Sequence, residues 1–235
     1  MSPRRATVPL FLALLLSACA ASIPASPTAS ADPSMPSAEP TADSTAEPTP
    51  VPSGQVAELE RGGPLPSGRY TRSAFTPTII FEVKGGEWYG QQLLSGFFDV
   101  QQDVGSPDVI AVQFARPSSV FGEGGGSTTV ATAAEAAGVL RGHPGITVLD
   151  ESEALIGGHT GVALEVEHAG ASLAAVSLLM VPPGPLGIAP DRRLWVAFLD
   201  TDDGLLAVMV GGSVAKWDDA LAAAEPVLES VTIGG

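Results

Sequence analysis

From residue 54 onward the apolar side chains fall in short β-branched runs or in alternation with polar ones, so strand signals dominate. Thr78-Ile79-Ile80-Phe81-Glu82-Val83 is β-rich and ends at Gly85-Gly86, and Phe97 to Gln101 and Val109 to Phe114 follow as further strands. In Thr160 to His168 the apolar Val162, Leu164 and Val166 alternate with Ala163, Glu165 and Glu167, which predicts a half-buried strand. The apolar run Ala171 to Val181 follows a short Ala169-Gly170 turn, so these two segments are expected to form a hairpin. A second hairpin is expected from Arg193 to Asp200 and Leu205 to Val210, around Thr201-Asp202-Asp203-Gly204.

Two helices interrupt the strands. Val130 to Arg141 places Val130, Ala133, Ala134, Ala137 and Leu140 on one face, and Gly142 with Pro144 stops it. The last helix is expected to begin at Ser213 as N-cap, to carry Asp218 and Asp219 early, and to bury Trp217, Leu221, Ala224 and Leu228, with Pro226 kinking or ending it. Hairpins joined in sequence with two separated helices imply an α+β fold: one domain, residues 54–235, in which an antiparallel β-sheet is covered by helices.

The N-terminus reads differently. Arg4 and Arg5 precede the apolar run Val8 to Leu16, which is far short of the roughly 20 residues that span a bilayer. Residues 1–18 therefore read as a secretory leader. Leu16-Ser17-Ala18-Cys19 resembles the bacterial lipobox, in which the cysteine thiol accepts diacylglycerol before cleavage, and Cys19 is the single cysteine of the chain. From there to residue 53 the chain is Ala, Ser, Thr and Pro with scattered acids. Pro24, Pro27, Pro33, Pro36, Pro40, Pro48, Pro50 and Pro52 leave no stretch in which a helix or a sheet ladder could propagate. Residues 19–53 are thus expected to be a disordered, polyproline-biased tether, whose extended reach at ~3.1 Å per residue is on the order of 100 Å.

Charge narrows the function classes. The chain of 235 residues has 11 Lys+Arg against 26 Asp+Glu, a formal net charge of −15, and cleavage before Cys19 removes two arginines and no carboxylate. Lys84 and Lys216 are its only lysines, so the clustered cationic surface that nucleic acid requires is missing. One thiol excludes a disulfide framework. The acidic body is repelled by anionic lipid, so attachment to a membrane falls to the acyl chains on Cys19.

The order Gly68-Arg69-Tyr70, Phe75-Thr76-Pro77, Phe81-Glu82-Val83, Trp88, His143-Pro144-Gly145, Ile156-Gly157-Gly158, Gly161 and Glu225-Pro226-Val227-Leu228-Glu229-Ser230-Val231 resembles uncharacterised secreted and lipoprotein domains of high-GC bacteria. Those domains are similar in layout to the PsbP-like fold, also seen in mycobacterial lipoproteins of the LpqN type. The resemblance covers residues ~65 to 233 and implies a PsbP-like sandwich acting in binding or assembly. Where many relatives carry a Pro-Gly-Trp turn, this chain has Gly85-Gly86-Glu87-Trp88.

Motifs that carry chemistry are few. Ser213-Val214-Ala215-Lys216 has the Ser-x-x-Lys spacing, but the Ser-Asp-Asn and Lys-Thr-Gly elements that go with it do not occur. Gly122-Glu123-Gly124-Gly125-Gly126-Ser127-Thr128 has glycine where a phosphate-binding loop needs lysine, and reads as a surface loop before a helix. Asp200, Asp202 and Asp203 are weak calcium candidates, since Gly204 and Gly211 stand at the fifth and twelfth loop positions. His143, His159 and His168 lack metal-ligand spacing.

Three features invite a contact. The proline-stiffened stretch Val181 to Pro190 reads as a long loop displaying Leu186 and Ile188 toward a partner. Trp88, with Tyr89, Phe97 and Phe98, reads as core or as the wall of a small apolar cleft. Glu165 and Glu167 lie about 7 Å apart on one strand face, within the range of paired catalytic acids. The expectation is a lipid-anchored, extracytoplasmic binding or accessory protein of the bacterial envelope. It would be non-enzymatic and free of cofactors, with the membrane reached through its lipid and a protein or small apolar ligand as partner. An envelope hydrolase using Glu165 and Glu167, and a calcium-dependent adhesion module, are the alternatives.

Overall fold

The structure, a computed structural model, describes residues 54–85, 87–170 and 173–234. The expected leader (1–18), Cys19 and the tether (19–53) lie outside these residues.

In chain order the first strands are β1 (Val56–Glu58), β2 (Pro64–Leu65), β3 (Gly68–Thr71), β4 (Thr78–Val83), β5 (Trp88–Leu93) and β6 (Phe97–Gln102). Then come β7 (Ile110–Ala115), β8 (Ser119–Phe121), β9 (Ser127–Thr128), α1 (Ala133–Arg141), β10 (Ile146–Ile156), β11 (His159–His168) and β12 (Val176–Val181). The chain closes with β13 (Gly184–Ile188), β14 (Arg192–Thr201), β15 (Gly204–Ser213), α2 (Trp217–Glu229) and β16 (Thr232–Gly234).

The central sheet has eight strands in the order β10-β11-β14-β15-β7-β6-β5-β2, and every ladder in it is antiparallel. Two four-stranded sheets, β1-β3-β4-β16 and β13-β12-β8-β9, accompany it. Alternation along the central strands separates two cores. Phe98, Val112, Phe114, Leu206 and Val208 pack with the β3–β4 side chains and α2, whereas Phe97, Leu164, Val196, Phe198 and Met209 pack with β12 and α1. Each face of the central sheet is therefore covered by a small sheet together with one helix. The expected helical cover is partial, for a geometric reason. Helices of 9 and 13 residues are about 14 and 20 Å long, too short to cover a sheet roughly 34 Å wide.

The hairpin expected from 160–168 and 171–181 does not form. Strand β11 pairs with β10 and β14, while β12 pairs with β13 and β8 in a different sheet. Strand β10 takes the place beside β11 through the tight Gly157-Gly158 turn, where both glycines have positive φ. Its exposed Asp150, Glu151, Ser152 and Glu153 hide it from an apolar-pattern reading and blunt a sheet edge.

Both helices start later than expected. At α1 the Thr132 Oγ1 accepts from the Glu135 N–H (3.3 Å), and the Glu135 carboxylate accepts from the Ala131 N–H (2.9 Å). The Thr132 cap contributes about 1 kcal/mol, and the Glu135 carboxylate satisfies the N–H just before it. The face it sets buries Ala133, Ala136, Ala137 and Leu140, leaving Ala134 exposed. At the second helix the chain passes from β15 through a 3₁₀ turn, Val214–Lys216, before α2 begins at Trp217. Ser213 caps nothing with its side chain; its hydroxyl donates to Asp108 Oδ1 at 2.8 Å. Pro226 does not end α2, which runs on to Glu229.

Candidate functional site

One end of the central sheet carries a cleft of about 750 Å³. The β5–β6 turn, the β7–β8 connection, the β14–β15 turn and the tip of the β12–β13 hairpin converge on it. Backbone bonds position these pieces: Leu94 N–H to Phe97 O (2.7 Å) closes the β5–β6 turn, and Arg116 N–H to Gly96 O (2.9 Å) ties the next connection to it. Ser118 N–H to Met180 O (2.8 Å) adds the β12 side. Gly96 is required there, because a Cβ at this position would lie 2.9 Å from Pro182 Cδ. The Thr76–Pro77 and Pro182–Pro183 peptides flanking the cleft are cis.

Arg116 is half-buried in this cleft, and its Nη2 donates to the Asp203 carbonyl oxygen at 3.1 Å. Among the described residues no carboxylate forms an ion pair with it. Thr76, Ser95 and Ser118 bring hydroxyl groups to the same walls, and Val130 and Leu205 bring apolar surface. A guanidinium with free donors beside hydroxyls suits the planar, bidentate recognition of a carboxylate or phosphate. The cleft's volume is within the range of small-molecule sites; the cleft is open to solvent, and Asp203 as well as Arg116 stands on its wall. An arginine in a Phe-Ala-Arg-Pro-Ser-Ser stretch carries no motif, so sequence reading missed it; the one available signal was a cation directly following an apolar strand.

The residues singled out from sequence are placed elsewhere or differently. Ile188 is 3% exposed in the core beneath the small sheet, and Leu186 is half-buried against the same cluster. The expected long loop is a tight β12–β13 hairpin, because residues 184–188 complete a ladder with β12. Trp88 is 2% exposed in the opposite core, so it is not available to a partner. Phe97 and Phe98 point to opposite faces of β6 and belong to different cores, as successive strand residues must. Trp88, Phe97 and Phe98 therefore do not wall a common cleft.

Asp200 does not turn toward Asp202 and Asp203 as a ligand. Its Oδ1 accepts from the Ala133 N–H (2.8 Å), neutralising a free donor at the start of α1. Among the described residues no three His, Cys, Asp or Glu side chains converge on a point that could hold a metal ion. Asp202 and Asp203 form the turn of the β14–β15 hairpin. The glycine-rich stretch 122–126 is the turn of the β8–β9 hairpin, not the entry to a helix, since Thr132 caps α1.

Glu165 and Glu167 are far from a solvated pair. Arg193 reaches both, with Nη1 to Glu165 Oε1 at 3.1 Å, Nε to Glu167 Oε1 at 2.7 Å and a closer contact from Nη2. The same guanidinium lies 5.6 Å from the Trp217 ring centroid. Both acids are thus held as an ion-pair network on a sheet face beside α2, on β11 and away from the cleft. The histidine rings are engaged with backbone. His143 Nδ1 accepts from Gly145 N–H (2.9 Å), and burial holds this ring below the ordinary histidine range. His159 Nδ1 lies 3.2 Å from Asp200 O, and His168 Nε2 lies 3.0 Å from Ala174 O.

No known family profile and no curated protein matches the chain. Among solved structures it is similar to cyanobacterial PsbP (CyanoP) from Synechocystis sp. PCC 6803, at 12% identity over 71% of this chain and 92% of that one, with a TM-score of 0.41. It is also similar to LpqN of Mycobacterium tuberculosis, described as involved in cell envelope biogenesis, at 14% identity over 68% of this chain and 85% of that one, with a TM-score of 0.39. Both layouts that the sequence resembles are thus among the structures found.

Proposed function

We propose that this chain is a lipid-anchored, extracytoplasmic binding protein without catalytic activity, and that its ligand site is the Arg116 cleft. The ligand class is a small molecule with an acid group and an apolar body. The observation that carries this reading is the half-buried Arg116 guanidinium, unpaired with any described carboxylate, on the wall of a 750 Å³ cleft. A half-buried charge without a counter-charge costs stability, and an incoming carboxylate removes that cost. The apolar Val130 and Leu205 then meet the body of the ligand. Glu165 and Glu167 are bound to Arg193 outside the cleft, so the reading as an acid-base hydrolase gains no support.

Two measurements test the proposal. Titration of the full chain with octanoate and with inorganic phosphate, followed by NMR, is expected to move the amides of Ser95, Gly96 and Ser118. Arg116→Gln is expected to weaken that binding roughly tenfold or more. If neither acid moves those amides, or Arg116→Gln binds as well as the parent, the site assignment is wrong. For the anchor, Cys19→Ser expressed in a lipoprotein-processing bacterium is expected to leave the membrane fraction. A parent chain whose Cys19 carries no lipid by mass spectrometry would overturn the localisation.

A further inference from the structure

Asp99 in β6 is 0% exposed, an unusual place for a carboxylate, and the groups that bond to it belong to glutamines. It stands opposite Gln113 of β7 in register. On its other side the β5–β6 ladder slips between Gly90 and Leu93, which leaves Gln91 and Gln92 out of the regular pairing. Asp99 takes the place of the missing partner. Its Oδ1 accepts from the Gln92 N–H (2.7 Å), its Oδ2 from the Gln101 side-chain Nε2 (2.6 Å), and the Gln91 backbone and Gln113 side chain bond to it as well. Burial pushes the Asp99 carboxyl up while these bonds pull it down, and burial wins.

A strand slip supported by a buried carboxylate costs more than a plain ladder, and such bulges re-aim side chains at rims and sites. Here the re-aimed side chains line a hollow of about 440 Å³, whose walls are Arg61, Gln91, Gln92, Leu93, Leu94 and Gln101. Gly90 permits the far wall, since a Cβ there would lie 2.4 Å from Glu60 O and the Arg61–Gly90 bridge could not close. The Gln101 amide nitrogen donates to Asp99, which fixes this amide on the wall of the hollow. Amides offer donors and acceptors side by side, which is what a hydroxyl, itself donor and acceptor, requires. Leu94 is among the exposed large apolar residues, and with Leu93 it supplies the apolar strip that a sugar's C–H face covers. The cleft at Arg116 sets its arginine beside hydroxyls and apolar side chains; this hollow sets Arg61 beside a row of glutamine amides, and it is the amides that favour a polyol.

We infer that the glutamine-lined hollow between β5 and β6 is a second ligand site, for a neutral saccharide, with Asp99 as the residue that positions Gln101. The test is saturation-transfer NMR on the full chain in detergent with maltotriose, chitotriose and mannotriose as probes. At least one is expected to receive saturation, to lose affinity about fivefold in Gln101→Ala, and to be unaffected by Arg116→Gln. Asp99→Asn is expected to weaken the same sugar and to shift the Gln101 side-chain NH₂ resonances toward those of a free amide. If Asp99→Asn folds poorly, Gln101→Ala alone decides, because its backbone bonds are untouched. Three silent trisaccharides, a signal indifferent to Gln101→Ala, or one abolished by Arg116→Gln instead, would each overturn the assignment. So would an Asp99→Asn chain that loses stability yet binds the sugar unchanged.

Discussion

Gly161→Ala is expected to destabilise the protein by about 3 kcal/mol or more. Gly161 sits in β11 between Ala154 of β10 and Leu199 of β14. An ideal Cβ on it would lie 1.8 Å from the Phe198 carbonyl oxygen and 2.9 Å from the Phe198 carbonyl carbon. Those atoms are backbone, so no side-chain rotation relieves the clash. Alanine can be accommodated only by moving β11 away from β14, which breaks ladder bonds inside the central sheet and exposes donors that have no other partner. Urea denaturation of the full chain reads the effect as a lower midpoint at constant slope. Gly63→Ala is the control, since a Cβ there meets nothing within 4 Å, and it is expected to change stability by less than about 0.5 kcal/mol. Equal midpoints for Gly161→Ala and the parent would mean that the strands do not approach as described.

Phe114→Ala comes next, with an expected loss of about 3–5 kcal/mol. Phe114 is 0% exposed. Its ring stacks on Phe98 at 4.8 Å and on Phe81 at 5.8 Å, and Phe75 meets Phe98 edge-on at 4.9 Å. The cluster joins β6 and β7 of the central sheet to β4 of the small sheet above it, so removing one ring opens a cavity at the seam between layers. Phe198 and Phe97 lie in the other core and cannot move into that space. Against a usual total of about 5–15 kcal/mol, this loss is a large share of the domain's stability. Thermal and urea melts measure it; a loss under ~1 kcal/mol would show that the aromatic seam does not hold the two sheets together.

Local chemistry made some elements readable. Thr78–Val83 is β4 because β-branched residues cluster there and Gly85 turns the chain, and the β14–β15 hairpin follows from apolar runs around Asp202-Asp203-Gly204. Other elements were hidden by the same logic. Strand β10 carries acids on its wet surfaces, so no apolar pattern betrays it, and β5 spends two glutamines on a slip in register. Among the site residues, Arg116 and Asp99 have no motif around them. Their meaning comes from what is missing near one and what surrounds the other, and both are properties of space.

What periodicity and composition made readable without coordinates is the class of the folded part: an acidic chain of mainly antiparallel strands. Those are properties of short windows, and side-chain period, turn residues and charge act over short windows. The partition of the strands into three sheets, the burial of Trp88 and Ile188, the capture of Glu165 and Glu167 by Arg193, and the isolation of Arg116 were settled by folding in three dimensions. Each depends on which distant segments meet. An apolar side chain specifies that it will be buried, and a charged one that it will seek a partner or water, but neither specifies against what.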